Sequence, residues 1–248
     1  MAARLGSLLV LLLAWQIAAH FANPRLLPAP VAVLDAIRVQ SASGELPRAL
    51  AFTIARVAAA FTLAMALGSA LGYAMGRREA IDRWCDAPIV VLLNLPALVI
   101  IVLAYIWIGL NEAAAIGAVA LNKMPNTVVT LREGARTLDA GLDEMARVFG
   151  FSPWRRWRHV VAPQLAPFFA AATRSGLSLV WKIVLVVELL GRPNGIGFEI
   201  GTAFQLFDVA TLLAYALPFT VLMLLVESVL VQPFERHAAR WRARPARG

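Results

Sequence analysis

Glu144-Met-Ala-Arg-Val-Phe-Gly150, followed ten residues on by Val160-Val-Ala-Pro163, decides how this chain is read. Its mixed charge, its alanine and glycine four apart and its closing proline set it off from the greasy sequence on either side. Asp139 and Asp143 are candidate helix caps, because a short carboxylate accepts the free amide protons of a first helical turn. Leu142, Met145, Val148 and Phe149 then fall at helical spacing and form an apolar stripe. Ala146 and Gly150 share one face, where another surface can approach the backbone. Gly150 is placed to end the helix in a left-handed turn. Ser152-Pro153 opens a second short helix that carries Arg155, Arg156 and Arg158 near the inner lipid surface, and Pro163 marks a break before the next apolar block. By pattern alone the segment is either an amphipathic helix resting on the membrane or a surface gripped by a cytoplasmic partner.

The rest of the chain supplies the setting. Of 248 residues, 60% are hydrophobic and 15% charged. Soluble domains sit nearer about 45–50% apolar and about 25% charged. The excess of Leu, Ala, Val and Ile falls in blocks of roughly 18–25 residues, the length a helix needs to cross a bilayer. This predicts an all-α integral membrane protein, one transmembrane domain over 1–248, with six spans at 5–22, 49–75, 88–110, 113–131, 167–190 and 209–231. The fourth block is interrupted by Asn122-Lys-Met-Pro-Asn126. Arg4 and Leu8–Leu13 have the look of a signal peptide, but His20 and Phe21 occupy the cleavage region, so the first helix is read as retained. Between the first two blocks, Pro24 to Pro47 forms an external segment with a short helix over Val31–Val39.

Arginine placement orients the spans. With both termini in the cytoplasm, the inside segments hold Arg4, Arg77, Arg78, Arg83, Arg132, Arg136, Arg147, Arg155, Arg156, Arg158, Arg236, Arg240, Arg242, Arg244 and Arg247, against Arg25, Arg38, Arg48 and Arg192 outside. The net charge of +8 therefore reflects topology rather than nucleic-acid binding. The opening segment, residues 139–163, becomes a cytoplasmic loop between helices 4 and 5. Cys85 is the single cysteine and cannot form an internal disulfide. His20, His159 and His237 are scattered, which argues against a metal site. No G-x-x-x-x-G-K-[ST] loop and no catalytic motif is present, so neither nucleotide hydrolysis nor enzyme chemistry is expected of this chain.

Polar residues inside the spans need a reason, since a mid-bilayer charge costs about 2.5–3.5 kcal/mol on insertion scales. Lys182 and Glu188 are six residues apart, about 600° of helix rotation, and point to different faces. Lys182 is a candidate contact for an anionic solute, and Trp181, Asn94 and Glu188 are further candidates for its pathway. Asn94 and Pro96 are placed to unwind the third helix near a cavity. Glu188 precedes Gly191-Arg-Pro-Asn-Gly195-Ile-Gly197, a glycine-rich outer loop and candidate gate or docking surface. Arg56 is read as snorkelling or paired near an end of the second block, and Lys123 and Arg174 lie within or beside spans.

The opening segment resembles the E-A-A-x3-G-x9-I-x-L-P signature of the membrane subunits of bacterial ABC importers. Glu144, Ala146, Gly150 and Pro163 match in register, while Met145, Val160 and Ala162 are mild apolar replacements. Asn94-Leu-Pro-Ala97, Trp107-Ile-Gly-Leu-Asn-Glu112, Val186-Val-Glu-Leu-Leu-Gly191 and Gly195-Ile-Gly197 look like the nitrate, sulfonate and taurine branch. The departures at Asn94-Leu95-Pro96 and at Lys182 bear on the substrate. The resemblance implies a permease subunit in the inner membrane, importing a small anionic solute or another small organic solute. It implies a homodimer, two ATPase subunits inside that bind ATP and Mg, and an external solute-binding protein, with no cofactor on this chain. Residues 139–163 would contain the coupling helix, with Glu144, Met145, Ala146, Phe149, Gly150, Phe151 and Pro163 docking the ATPase. A non-transporting scaffold or sensor would not need this register, and an intramembrane enzyme would need catalytic groups that the sequence does not offer.

Overall fold

The computed structural model describes residues 2–233. The five C-terminal arginines from Arg236 to Arg247, together with His237, lie outside the described residues, as does the side chain of Arg4. Among the described residues every regular element is helical: α1 (Ala2–Phe21), α2 (Pro30–Ala42), α3 (Glu45–Arg77), α4 (Glu79–Asn94), α5 (Ala97–Ile108), α6 (Glu112–Arg136), α7 (Ala140–Val148), α8 (Pro153–Arg156), α9 (Ala162–Gly191), α10 (Ile196–Gln205) and α11 (Val209–Val226). Two π-helical turns, Trp157–Val161 and Glu227–Val231, adjoin α9 and α11.

Three described helical runs are long and apolar enough to cross a membrane: Glu45–Arg77, Pro153–Gly191 and Val209–Val229. The block read as a span over 88–110, with Asn94 and Pro96 placed to unwind it, is the pair α4 and α5, bent by 102°. Leu95 and Pro96 stand between them in extended conformation, because proline forces the residue before it out of the helical region. If that pair is one span, the number rises to four. The block at 5–22 is helical, but its described apolar stretch, Leu9–Phe21, is short.

Two expected breaks are absent. Asn122–Asn126 lies inside the unbroken helix α6, with Pro125 buried. Proline is tolerated within apolar helices where neighbouring helices and hydroxyl side chains re-satisfy the freed backbone groups. Pro163 likewise does not divide the chain: it is the second residue of α9, and the run from Pro153 to Gly191 is continuous. The wider π turn just before it relieves the clash that a proline ring otherwise makes with the carbonyl four residues back.

The chain divides into two compact units, Met1–Arg56 with Val184–Met223, and Val57–Ile183 with Leu224–Gly248. In the first, Trp15 donates from its indole nitrogen to the Pro28 carbonyl (3.1 Å), and the Tyr215 hydroxyl donates to Gln40 Oε1 (3.1 Å). Val33 on α2 is buried.

The second unit is organised by close packing of α3 on α6. Gly68, Gly72 and Gly76 recur every four residues along one face of α3. A Cβ on Gly68 would lie 2.9 Å from the Met124 carbonyl oxygen, one on Gly72 2.5 Å from that of Val128, and one on Gly76 2.6 Å from that of Arg132. The contacts advance together along both helices, so α3 and α6 run parallel, backbone against backbone. In lipid, where tails are as apolar as leucine, such small-residue seams are what hold helices together. α9 completes the layer in the opposite direction: Gly134 meets Phe168, and further along α6 Lys123 meets Gly176. Met65, Leu131, Ala135, Val161, Leu165 and Ala172 form the core among these helices.

Candidate functional site

In the segment that opened the sequence reading, Asp139 is the cap of α7. Its Oδ1 accepts from the backbone N–H of Gly141 (2.7 Å) and of Leu142 (3.3 Å), and its own N–H donates to Gln164 Oε1 (2.9 Å). The other end closes on Gly150, whose φ of 65° lies in the left-handed region. There the Phe151 N–H donates to the Ala146 carbonyl (2.9 Å) and the Gly150 N–H to the Arg147 carbonyl (3.0 Å), the paired bonds of a Schellman turn. Nothing lies within 4 Å of where a Gly150 Cβ would be, so the glycine is needed for its backbone, not for room within the chain. Arg155 covers the Phe151 ring at 4.5 Å, and Ser152 caps α8.

Asp143, the other candidate cap, does something different. It is buried and collects guanidinium groups. Arg156 binds it through both Nε and Nη2, the latter at 2.6 Å to Oδ2; Arg147 donates at 3.0 Å, and Arg77 at the end of α3 stands 3.8 Å away. Burial pushes the Asp143 carboxyl pKa up, but the hydrogen bonds from Arg156 and Arg147 outweigh it and hold the group below the usual range. A carboxyl with a depressed folded pKa contributes fully above its unfolded value and loses that contribution only as pH falls through the folded one. The clamp therefore holds at neutral pH.

Cap, turn and clamp fix which face α7 shows. Ala146 is fully buried. Glu144, Leu142, Met145, Val148 and Phe149 are exposed, with Val148 at 84% and Phe149 at 71% accessibility. A nine-residue helix is too short to hold its shape by propensity alone, so this apolar, acid-edged face is presented by its tethers. Pro163, twelve residues beyond the exposed face's end at Phe151, supports α9 rather than this surface.

The glycine-rich loop after α9 is locked in the first unit. Glu188 is fully buried and its carboxylate is saturated. Oε2 accepts from the Thr53 hydroxyl (2.9 Å) and the Gly197 N–H (2.8 Å), and Oε1 from Arg56 Nη1 (2.7 Å). Arg56, itself 4% exposed, also donates to the Asn194 backbone carbonyl (2.9 Å) and to the Asn194 side chain. Thr53 Oγ1 accepts from the Ile196 N–H (2.8 Å). Gly195, at φ 107°, and Gly197 leave the space: a Cβ on the first would fall 2.4 Å from the Glu188 carboxylate, and on the second 2.2 Å from the Leu185 carbonyl oxygen. Arg56 is thus a paired residue, and its partner is Glu188. Next to the lock lies a polar cleft of about 240 Å³ lined by Glu45, Arg48, Phe52, Asn194 and Glu199. Burial, then the Glu45 charge, pushes the Glu199 carboxyl up.

The remaining sequence candidates are dispersed. Lys182 is exposed on α9 with its ammonium 5.5 Å from the centre of the Trp181 ring. Asn94 is exposed at the end of α4, donating to the Val90 carbonyl (2.8 Å). Gly191 closes α9. The features that escaped the sequence are the Asp143 clamp, the pairing of Arg56 with Glu188, the glycine seam of α3 and the complete burial of Lys123 in α6.

The described residues, all helical where regular, with three runs able to cross a membrane, a tethered short helix showing an apolar face and a locked glycine-rich loop, are those of a membrane-embedded subunit. The chain belongs to the family described as the binding-protein-dependent transport system inner membrane component, which matches residues 60–232. It is 32% identical over 233 residues to SsuC of Escherichia coli (strain K12), named for aliphatic sulfonates transport, covering 92% of this chain and 87% of that one. It is 24% identical to the taurine transport system permease TauC of the same organism (96% and 88% covered). The bicarbonate transport system permease CmpB of Synechococcus elongatus is 24% identical over 81% of this chain and 76% of that protein. Among solved structures, a chain of the inward-facing MetNI methionine ABC transporter aligns with a TM-score of 0.61 at 17% identity, covering 80% of this chain and 96% of that one, which establishes a shared fold. The protein is a multi-pass inner-membrane permease of a family whose members generally work with an ATPase and a binding protein.

Proposed function

We propose that this chain is the pathway-forming half of an ATP-driven importer for a small anionic solute of the sulfonate, taurine or bicarbonate kind. The observation that carries the reading is the α7 face. Val148 and Phe149 are large, apolar and exposed beside Glu144 on a helix held rigid at both ends, which is what a partner's groove needs. On this reading α7 is the coupling helix, and Glu144, Met145, Phe149, Gly150 and Phe151 seat an ATPase that binds ATP and Mg, while Ala146, expected on the docking face, is buried and packs the helix on its own chain. Two copies of the chain pair in the membrane, each with six spans and both termini in the cytoplasm. ATP-driven closure of the ATPases pulls on α7, and the Asp143–Arg156–Arg77 clamp passes the motion to α3 and α9. Outside, a solute-binding protein docks near the Gly191–Gly197 loop and the polar cleft beside it. Glu188 serves by pinning that loop, while Lys182, with Trp181 and Asn94, borders the solute path.

Membrane vesicles holding this subunit with its cognate ATPase and binding protein test the reading. They should accumulate labelled ethanesulfonate or taurine only with ATP and the binding protein. Lys182→Met should lower that uptake severalfold while leaving the complex assembled; unchanged kinetics would remove Lys182 from the path. Failure to take up any anion would refute the substrate class.

A further inference from the structure

Lys123 is fully buried, 1% exposed, in α6, which packs against α3 and α9, two helical runs long and apolar enough to cross a membrane. Among the described residues no carboxylate pairs with its ammonium. An uncompensated charge in such a place is expensive, and residues of this kind in membrane proteins mark solute or ion pathways. The surroundings are shaped to it. On α9, Gly176 lacks the Cβ that would fall 2.2 Å from Lys123 Cε and 2.9 Å from Nζ. One helical turn before Gly176, on the same face, the Thr173 hydroxyl is buried without a hydrogen-bond partner. On α3 the Ser69 hydroxyl is also buried and unpartnered, next to Gly68, which abuts Met124 and Thr127 of α6. Buried hydroxyls are rarely left unsatisfied, and here two occur on the helices flanking one unpaired ammonium. Ser69 also lines a hollow of about 580 Å³ whose other walls, among them Ala66, Tyr73, Leu165 and Phe169, are mainly apolar.

We infer that Lys123, with the Ser69 and Thr173 hydroxyls, forms an intramembrane subsite for the oxyanion head of the transported solute. The inference rests on the anionic reading above and names a recognition group for it beyond Lys182. Three donors suit a sulfonate or carboxylate, and the hollow beyond Ser69 suits a short hydrocarbon body. Since Lys123 is closed off here, the anion reaches it only when α9 moves away from α6 during the cycle.

The test uses the complete complex with ethanesulfonate as probe. Lys123→Met should assemble with its ATPase normally, lose at least tenfold in uptake and raise the melting temperature, because a desolvated charge kept for function is a burden on stability. Gly176→Ala, which drives the lysine from its cradle, should reduce uptake as well with the charge still present. Unchanged uptake in Lys123→Met, or a lowered melting temperature, would overturn the inference and make the lysine a structural group. If the wild-type complex takes up none of ethanesulfonate, taurine and bicarbonate, the anionic reading itself falls, and the melting temperatures alone still decide whether Lys123 is a structural group.

Discussion

Glu188→Ala should collapse the Gly191–Gly197 loop and with it most of the folded protein. The substitution leaves the Arg56 guanidinium buried with no counter-charge, and removes the acceptor for the Thr53 hydroxyl and the Gly197 N–H. Breaking a buried pair from one side costs about 3–5 kcal/mol, whereas replacing both partners by apolar groups of similar volume is often neutral. Glu188→Ala should therefore cut the yield of monodisperse protein in detergent by at least tenfold, and the double variant Arg56→Met, Glu188→Leu should recover much of it. Thermal unfolding and gel filtration read both. A single variant as stable as the wild type would mean that the loop is held by something other than this carboxylate.

Gly72→Val should be almost as damaging, for a steric reason. Its Cβ would lie 2.5 Å from the Val128 carbonyl oxygen and 3.0 Å from Leu131 Cβ, and backbone cannot swing aside as a side-chain tip can. α3 and α6 would have to separate along the whole glycine seam, uncovering the core around Met65 and Leu131. Overpacking costs about 1–3 kcal/mol where neighbours can shift, and more where they cannot. Gly117→Val is the control: it lies in α6, but nothing stands within 4 Å of its Cβ position. The first variant should fail to accumulate in the membrane and the second should accumulate normally. Equal levels of the two would contradict a backbone-to-backbone seam.

What could be read beforehand was local. The Gly150 left-handed turn, the capping of α7 from Asp139 and the Ser152 cap depend on residues two to five positions apart, within reach of sequence logic. What escaped was distant. Arg56 and Glu188 are separated by 132 positions, and nothing in either block announces the other. Asp143 looked like a cap because it sits at a helix start, yet its partners are Arg156, thirteen residues on, and Arg77 at the end of another helix. The breaks expected at Asn122–Asn126 and Pro163 rested on proline's intrinsic preference. They failed because packing against α3 and a π turn, respectively, absorbed the proline. Gly68, Gly72 and Gly76 were in plain view as a period of four, but a small-residue period acquires meaning only when a second helix lies against it.

The proposed coupling depends on α7 being gripped by an ATPase, and Gly150 offers the sharpest test. Gly150→Ala adds a methyl group where there is open space and strains the left-handed turn by about 1–2 kcal/mol. Gly150→Arg adds the same backbone strain and projects a long charged side chain beside the exposed Phe149. The measurement is co-purification of the cognate ATPase with each tagged variant from solubilised membranes. The alanine variant should retain at least half of the wild-type ATPase, while the arginine variant, inserted at normal levels, should retain less than a tenth. An arginine variant that brings down as much ATPase as the wild type would contradict the docking role of this helix.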